Sequence, residues 1–195
     1  MSTAANLTAD VRKRLADEDD MSYGDSLIRQ FLSEGSSIFA GTTGCCQTTH
    51  DFTTDGSAAT LSLTTMTYQW VAVYNVTDNG TELSFAPRHE AVRWGTAVSG
   101  TAAGYSMWGD TLYLDAIPDA DRTVQVYYTY IPDELSASSD TVLIPVKWET
   151  AIVAYAEYRC RAVDRETGLA DRAYAEFESL RISAQQIYNF IMGGR

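Results

Sequence analysis

Few residues in this chain have the type and spacing that chemistry needs. Two histidines, His50 and His89, and three cysteines, Cys45, Cys46 and Cys160, are its whole stock of soft ligands. The densest grouping is Cys45-Cys46-x-x-x-His50. Zinc takes four soft ligands, usually in spaced pairs, and adjacent cysteines seldom grip one ion together. The expectation is therefore a polar loop carrying two small, partly buried thiols. The acidic run Asp17-Glu18-Asp19-Asp20 lacks the alternating spacing and the glycine of a calcium loop, and reads as a solvated connector between helices. His89-Glu90 does not extend into His-Glu-x-x-His, and Gly104-Tyr105-Ser106-Met107-Trp108 puts Trp where a nucleophile elbow needs its second glycine. No phosphate loop or dinucleotide fingerprint appears. We expect no catalytic residue, no metal, no cofactor and no enzymatic activity.

Stacking is the other chemistry within reach. Trp94, Trp108, Tyr113 and Tyr127 can form a platform for a sugar, although such residues more often serve a core or a protein interface. Strand alternation sets Tyr127 opposite Val124 and Val126, at the surface or under a second layer.

The elements that must position these residues follow from periodicity. Thr8 is placed to cap a short helix bearing Val11 and Leu15. Ser22, with Asp25 three residues on, is placed to cap a second, whose stripe is Leu27, Ile28, Phe31, Leu32, Ile38 and Phe39. Gly35 weakens that helix by about 1 kcal/mol relative to Ala, and Gly41 or Gly44 ends it. Residues 41–65 are rich in Thr, Ser and Gly and are expected to be mobile.

The period then changes to two. Leu61 and Leu63 share a face. Tyr68, Trp70, Ala72 and Tyr74 face one way and Val71 and Val73 the other, the pattern of a strand that is central or covered twice. Asp78-Asn79-Gly80 marks a hairpin, Pro87 opens a helical turn, and 95–104 is a flexible stretch. Tyr105 to Leu114 is a second hairpin turning at Gly109-Asp110, and Pro118 to Asp121 is another turn. Val124, Val126, Tyr128 and Tyr130 line the last long strand. Residues 131–145 are a polar connector.

Pro145 opens a helix with the stripe Trp148, Ile152, Tyr155, Ala156, Cys160 and Val163, and Gly168 is placed as its C-cap. Ala173, Phe177, Leu180, Ala184, Ile187 and Ile191 form the seam of a final helix packed against it. The expected fold class is α+β. Residues 1–44 and 142–195 form a helical bundle, and 45–141 an antiparallel β domain, either a small sandwich or a half-barrel.

Composition narrows the function classes. A chain of 195 residues, 45% hydrophobic and 21% charged, holds enough apolar surface for a core. Its net charge of −12 disfavours non-specific nucleic-acid binding. The middle segment, 41–145, holds 12 acidic and 3 basic residues, so it carries most of that charge. An odd, irregular set of cysteines fits a reducing compartment. The first twenty residues have no apolar run, so no signal peptide is expected, and no stretch approaches a membrane span.

The order of these elements resembles the head–tail connector, or adaptor, proteins of tailed bacteriophages. The resemblance runs along essentially the whole chain and is strongest from Tyr105 to Tyr158, through Leu114, Pro118, Asp119, Ala120, Tyr127, Tyr128, Pro132, Leu135, Asp140, Thr141, Ile144 and Pro145. It implies a structural virion protein of the head–tail neck, made in the host cytoplasm. It implies a ring of copies, commonly twelve, beneath the portal protein. That ring extends the DNA channel without sequence-specific binding and docks the next tail component. Carried onto this chain, it makes Tyr188, Phe190, Ile191, Met192 and Arg195 candidate portal contacts. Apolar surplus on the last helix makes Tyr174, Phe177, Leu180 and Ile187 candidate subunit contacts. The alternatives are a carbohydrate- or receptor-binding tail module and a stopper or tail-tube component. The helical last 50 residues favour the adaptor, because stoppers and tubes are mostly β.

Overall fold

The structure, a computed structural model, describes residues 1–17, 22–94 and 98–193, excepting the side chains of Arg93 and 190–193. It is α+β, with helices at both ends of the chain and sheets between them. In chain order the elements are α1 (Ala4–Leu15), α2 (Asp25–Thr43), β1 (Gln47–Thr53), β2 (Thr60–Ser62), β3 (Gln69–Asp78), β4 (Thr81–Glu82), β5 (Ser84–Phe85), α3 (Arg88–Ala91), β6 (Val98–Ser99), β7 (Gly104–Trp108), β8 (Thr111–Leu114), β9 (Ala116–Ile117), β10 (Thr123–Ile131), α4 (Glu149–Val163) and α5 (Thr167–Gly193). The chain divides into two units: Met1–Cys46 with Tyr130–Arg195, and Gln47–Thr129.

In the helical unit α1 begins earlier than expected. Thr3, not Thr8, is its cap, and the Thr3 hydroxyl accepts the Asn6 N–H at 3.4 Å. Thr8 is buried within the helix instead. The cap of α2 is Gly24 rather than Ser22, because Asp17 takes over the polar work of that turn. Asp17 accepts from the Ser22 and Tyr23 N–H groups and pairs with Arg12 at 3.2 Å, with its side chain only 9% exposed. It is thus buried, not solvated; Glu18, Asp19 and Asp20 lie outside the described residues. Arg12 also binds Asp25 at 2.6 Å and the Tyr23 carbonyl at 2.7 Å, so one buried guanidinium ties α1 to the start of α2.

The stripe of α2 packs on α4 and α5. Ile28, Phe31, Leu32 and Phe39 are buried, whereas Ile38 is exposed on the far side. The Phe39 ring lies 5.9 Å from Trp148 and 6.2 Å from Phe177. Burying each such ring contributes about 2–3 kcal/mol. Gly35 is where α2 meets α4: a Cβ there would stand 2.9 Å from Tyr155 Cδ1. Gly44, at φ 64°, ends the helix.

Residues 131–145 are not merely a polar connector. Leu135, Val142 and Ile144 are buried, and Ala4 and Ala5 donate to the Asp140 and Ser138 carbonyls at 2.8 and 2.9 Å. Pro145 precedes one 3₁₀ turn, Val146–Trp148, which leads into α4. The α4 stripe is buried through Cys160, but Val163 is exposed. Gly168 is not its cap: α4 stops at Val163, Arg165 takes the left-handed conformation at φ 62°, and Gly168 falls in the first turn of α5. The Arg161–Glu166 pair at 2.8 Å bridges that turn.

The β unit holds three sheets, ordered β1-β10-β3-β4, β2-β8-β7-β5 and β6-β9, with no closed barrel among the described residues. The turn at Asn79-Gly80 has φ 50° and 83°, the positive pair that a tight hairpin requires. The sheets are not wholly antiparallel, since β5–β7 and β6–β9 pair in parallel. The β5-to-β7 connection runs through α3, and a connection of that length permits a parallel return. Residues 47–53, expected to be mobile, form β1, which pairs with β10 over its full length. Leu63 opens a 3₁₀ turn rather than extending β2. β3 is central in its sheet but not covered twice, since Val71 and Ala72 are exposed. Within 95–104, residues 98–99 form β6 and Gly104 opens β7; 95–97 lie outside the described residues.

Candidate functional site

The α4–α5 hairpin is built by small residues. Ala151, Ala154, Ala156, Ala170, Ala173 and Ala184 are buried, so the two helices approach closely, and Phe177 fills the gap with its ring 5.1 Å from Tyr155. Phe177, one of the expected subunit contacts, is therefore in the core of its own unit at 1% exposed. Leu180 is half-buried, and Tyr174 and Ile187 are exposed. Tyr188 is half-buried beneath Lys147, whose ammonium is 5.5 Å from the ring centroid, and burial raises its phenol pKa. The side chains of Phe190, Ile191 and Met192, and all of Arg195, lie outside the described residues.

The outer face of α5 is distinctive for what it lacks. Ala175, Ser179, Ile182, Ser183, Gln186 and Asn189 recur at helical spacing, all exposed and none charged. Asp171 and Arg172 stand at the N-terminal end of this face, and the charges at its flanks are engaged: Glu176 with Arg14 at 3.0 Å and Glu178 with Arg181 at 2.7 Å. Those pairs hold the carboxyl of Glu178 below its usual range and raise both arginines. The face is small and polar, with Ile182 its one large hydrophobic residue. Its signal in the sequence was the absence of charge at one helical angle, which reading the apolar stripe overlooks.

The groupings whose residue types suit chemistry disperse. Among the described residues no three His, Cys, Asp or Glu side chains gather to hold a metal. Cys45 and Cys46 are buried with their sulfurs 3.8 Å apart. The Cys45 thiol is lowered by its hydrogen bond to Cys46, and that same bond raises Cys46. His50 lies on β1 with its ring 4.7 Å from Phe52, and His89 is exposed, 3.7 Å from Glu90. Three of the four stacking residues do converge. Trp94, Trp108 and Tyr113 line a cleft of 350 Å³ between α3 with its following turn and the outer face of β8–β7–β2. Tyr127 belongs to the other sheet, beside Tyr74 at 6.2 Å. The buried Asp78–Arg122 pair at 2.9 Å, which the turn motif gave no hint of, locks the 78–80 hairpin.

No helix among the described residues is long and apolar enough to cross a membrane. The sequence model of a family described as SU10 adaptor protein matches residues 2–190. The chain belongs to the SU10 adaptor protein family. The match takes in both units, from the first residues of α1 to the exposed face of α5. A search of curated proteins returned no match. As an SU10 adaptor protein this chain is a structural component of a bacteriophage virion, and the family is not one of known enzymes.

Proposed function

We propose that copies of this adaptor form a ring of twelve that docks beneath the portal protein, extends the DNA channel and presents the next tail component with its seat. The observation that carries this reading is the family match along nearly the whole chain. The uncharged outer face of α5 supports it, because a ring needs a surface that each copy offers to the next. The complementary surface in this reading is the groove of 670 Å³ along α2, where Ser26, Gln30, Ser37 and Ile38 lie among the charged Arg29, Glu34 and Glu134. Two different patches meeting head to tail make a heterologous contact, which closes into a ring when the rotation per copy permits.

Charge suits the channel. Each copy adds −12, so the ring repels DNA and lets it slide without sticking. The portal contact falls to the end of α5, through Tyr188, Phe190, Ile191, Met192 and Arg195. Mass measurement of the protein alone and mixed with portal tests the reading. The expected result is a discrete ring-sized species that forms on the portal. A monomer that ignores the portal contradicts it.

A further inference from the structure

We propose that the aromatic cleft of the β unit binds a single acidic sugar ring, a hexuronate or a close relative, with its carboxylate on Arg88 and its apolar face on an indole. The inference rests on the cleft alone and not on the ring reading.

The sequence builds the cleft from a few steps. Ser106, Tyr113 and Thr60 stand in one row across β7, β8 and β2, and alternation puts Trp108 on the same face. The opposite face carries Leu112, which is fully buried, so the row points away from the core. Pro87 then starts α3, and the turn Val92–Trp94 brings the second indole over the sheet. Its ring rests on Gly104, where a Cβ would be 3.5 Å from Trp94 Cζ2. Trp108 nevertheless keeps 55% of its surface exposed and Tyr113 keeps 39%. Large aromatic faces left in water beside a concavity are ligand-binding faces by default.

Arg88 sets the sign of the ligand. Its guanidinium stands over the Trp108 ring, and its N–H groups are the donors a carboxylate would take. It makes no ion pair among the described residues, whereas Arg122, in the same unit, is spent on Asp78. No carboxylate among the described residues lines the cleft, although the surrounding segment is the most acidic in the chain. The nearby Asp115 is held by the Ala103 N–H at 2.9 Å. The exposed hydroxyls of Thr60 and Tyr113 supply partners for sugar hydroxyls.

Size and charge exclude the neighbouring chemistries. At 350 Å³ the cleft sits near the lower end of the roughly 300–1,000 Å³ range of small-ligand pockets, room for one or two rings. A polyanion would meet one cation, Arg88, among the described residues of the cleft lining, in a chain of net −12, and be repelled. An extended peptide would need a free sheet edge, and β2, the edge at the cleft, is only three residues long.

The full-length protein is titrated with galacturonate and its trimer, with galactose and its trimer as neutral controls, and with a Glu-rich peptide. Tryptophan fluorescence and calorimetry are the readouts. Saturable binding of the uronates, at least about tenfold tighter than of the neutral sugars (about 1.4 kcal/mol,), is expected. Arg88→Gln should erase that preference, Trp108→Ala should remove binding of every sugar, and Tyr127→Ala should change nothing. Equal binding of neutral sugars, binding of the peptide alone, or no saturation with the trimer overturns the proposal. The titration of the unaltered protein gives this answer even if Trp108→Ala fails to fold.

Discussion

At the scale of single residues, closeness and burial decide most outcomes. Gly35→Ala offers a helix-propensity gain of about 1 kcal/mol. Against it, the new Cβ would be 2.9 Å from Tyr155 Cδ1 and 3.1 Å from its Cβ and Cγ, on a ring wedged in the core at 6% exposed. Overpacking costs about 1–3 kcal/mol, so the variant should melt a few degrees lower by calorimetry; a higher melting temperature would mean α2 and α4 are less tightly opposed. Cys160 contributes to the alkaline pH dependence, beside Cys46 and the raised phenols. Burial first, and Asp164 second, push its thiol from near 9.0 up to about 12. Burial and Asp164 raise the Tyr23 phenol too. A folded state that holds these protons more tightly than the unfolded chain is favoured below pH 9 and loses that advantage as pH climbs toward 12. Denaturation midpoints should therefore fall steeply above pH 9, and Cys160→Ala should make the fall shallower. An unchanged slope would relieve Cys160 of the role.

At the scale of elements, α5 carries the account. Ile182→Glu places a charge on its uncharged outer face, at a residue 46% exposed. The monomer should lose no more than about 0.5 kcal/mol, while ring formation, read by sedimentation, should fail. A ring that survives would move the interface elsewhere. Removing residues 190–195 should keep the fold and abolish portal attachment, measured by co-sedimentation with portal. Sparing Tyr188 matters, because it packs under Lys147. Intact attachment would free the end of α5 from that duty.

Elements of strong period were legible before any coordinates: the stripe of α2 apart from the exposed Ile38, the hairpins at Asn79-Gly80 and Gly109-Asp110, the inward row of β10 and the seam of α5 from Ala173 to Ala184, though Ile187 is exposed and the side chain of Ile191 lies outside the described residues. Their ends were not. Thr8 and Ser22 are both good cap types, but long-range partners at Asp140 and Asp17 decided where α1 and α2 begin. Gly168 lost the cap because Arg165 accepted the left-handed conformation inside an ion-paired turn. The strand at 47–53 was hidden because its Thr-rich run has no apolar alternation; pairing with β10 organises it. Of the aromatic platform, three members were recognisable by type alone. Arg88 was missed, because only the fold lays it on Trp108.

At the scale of the whole molecule, the chain divides its labour. The helical unit offers the outer face of α5 and the β unit one aromatic cleft, while the negative charge is shared evenly between them. In the proposed ring this virion component works through a repeatable contact. The central claim is that the contact runs from the outer face of α5 on one copy to the α2 groove of the next, around an axis. Cryo-electron microscopy of isolated necks measures this most directly. The account predicts twelve copies in radial symmetry on the portal, with Ser179 and Ile182 of each against Ser37 and Ile38 of its neighbour. A ring whose copies meet through other surfaces, or a single copy on the neck, would contradict it.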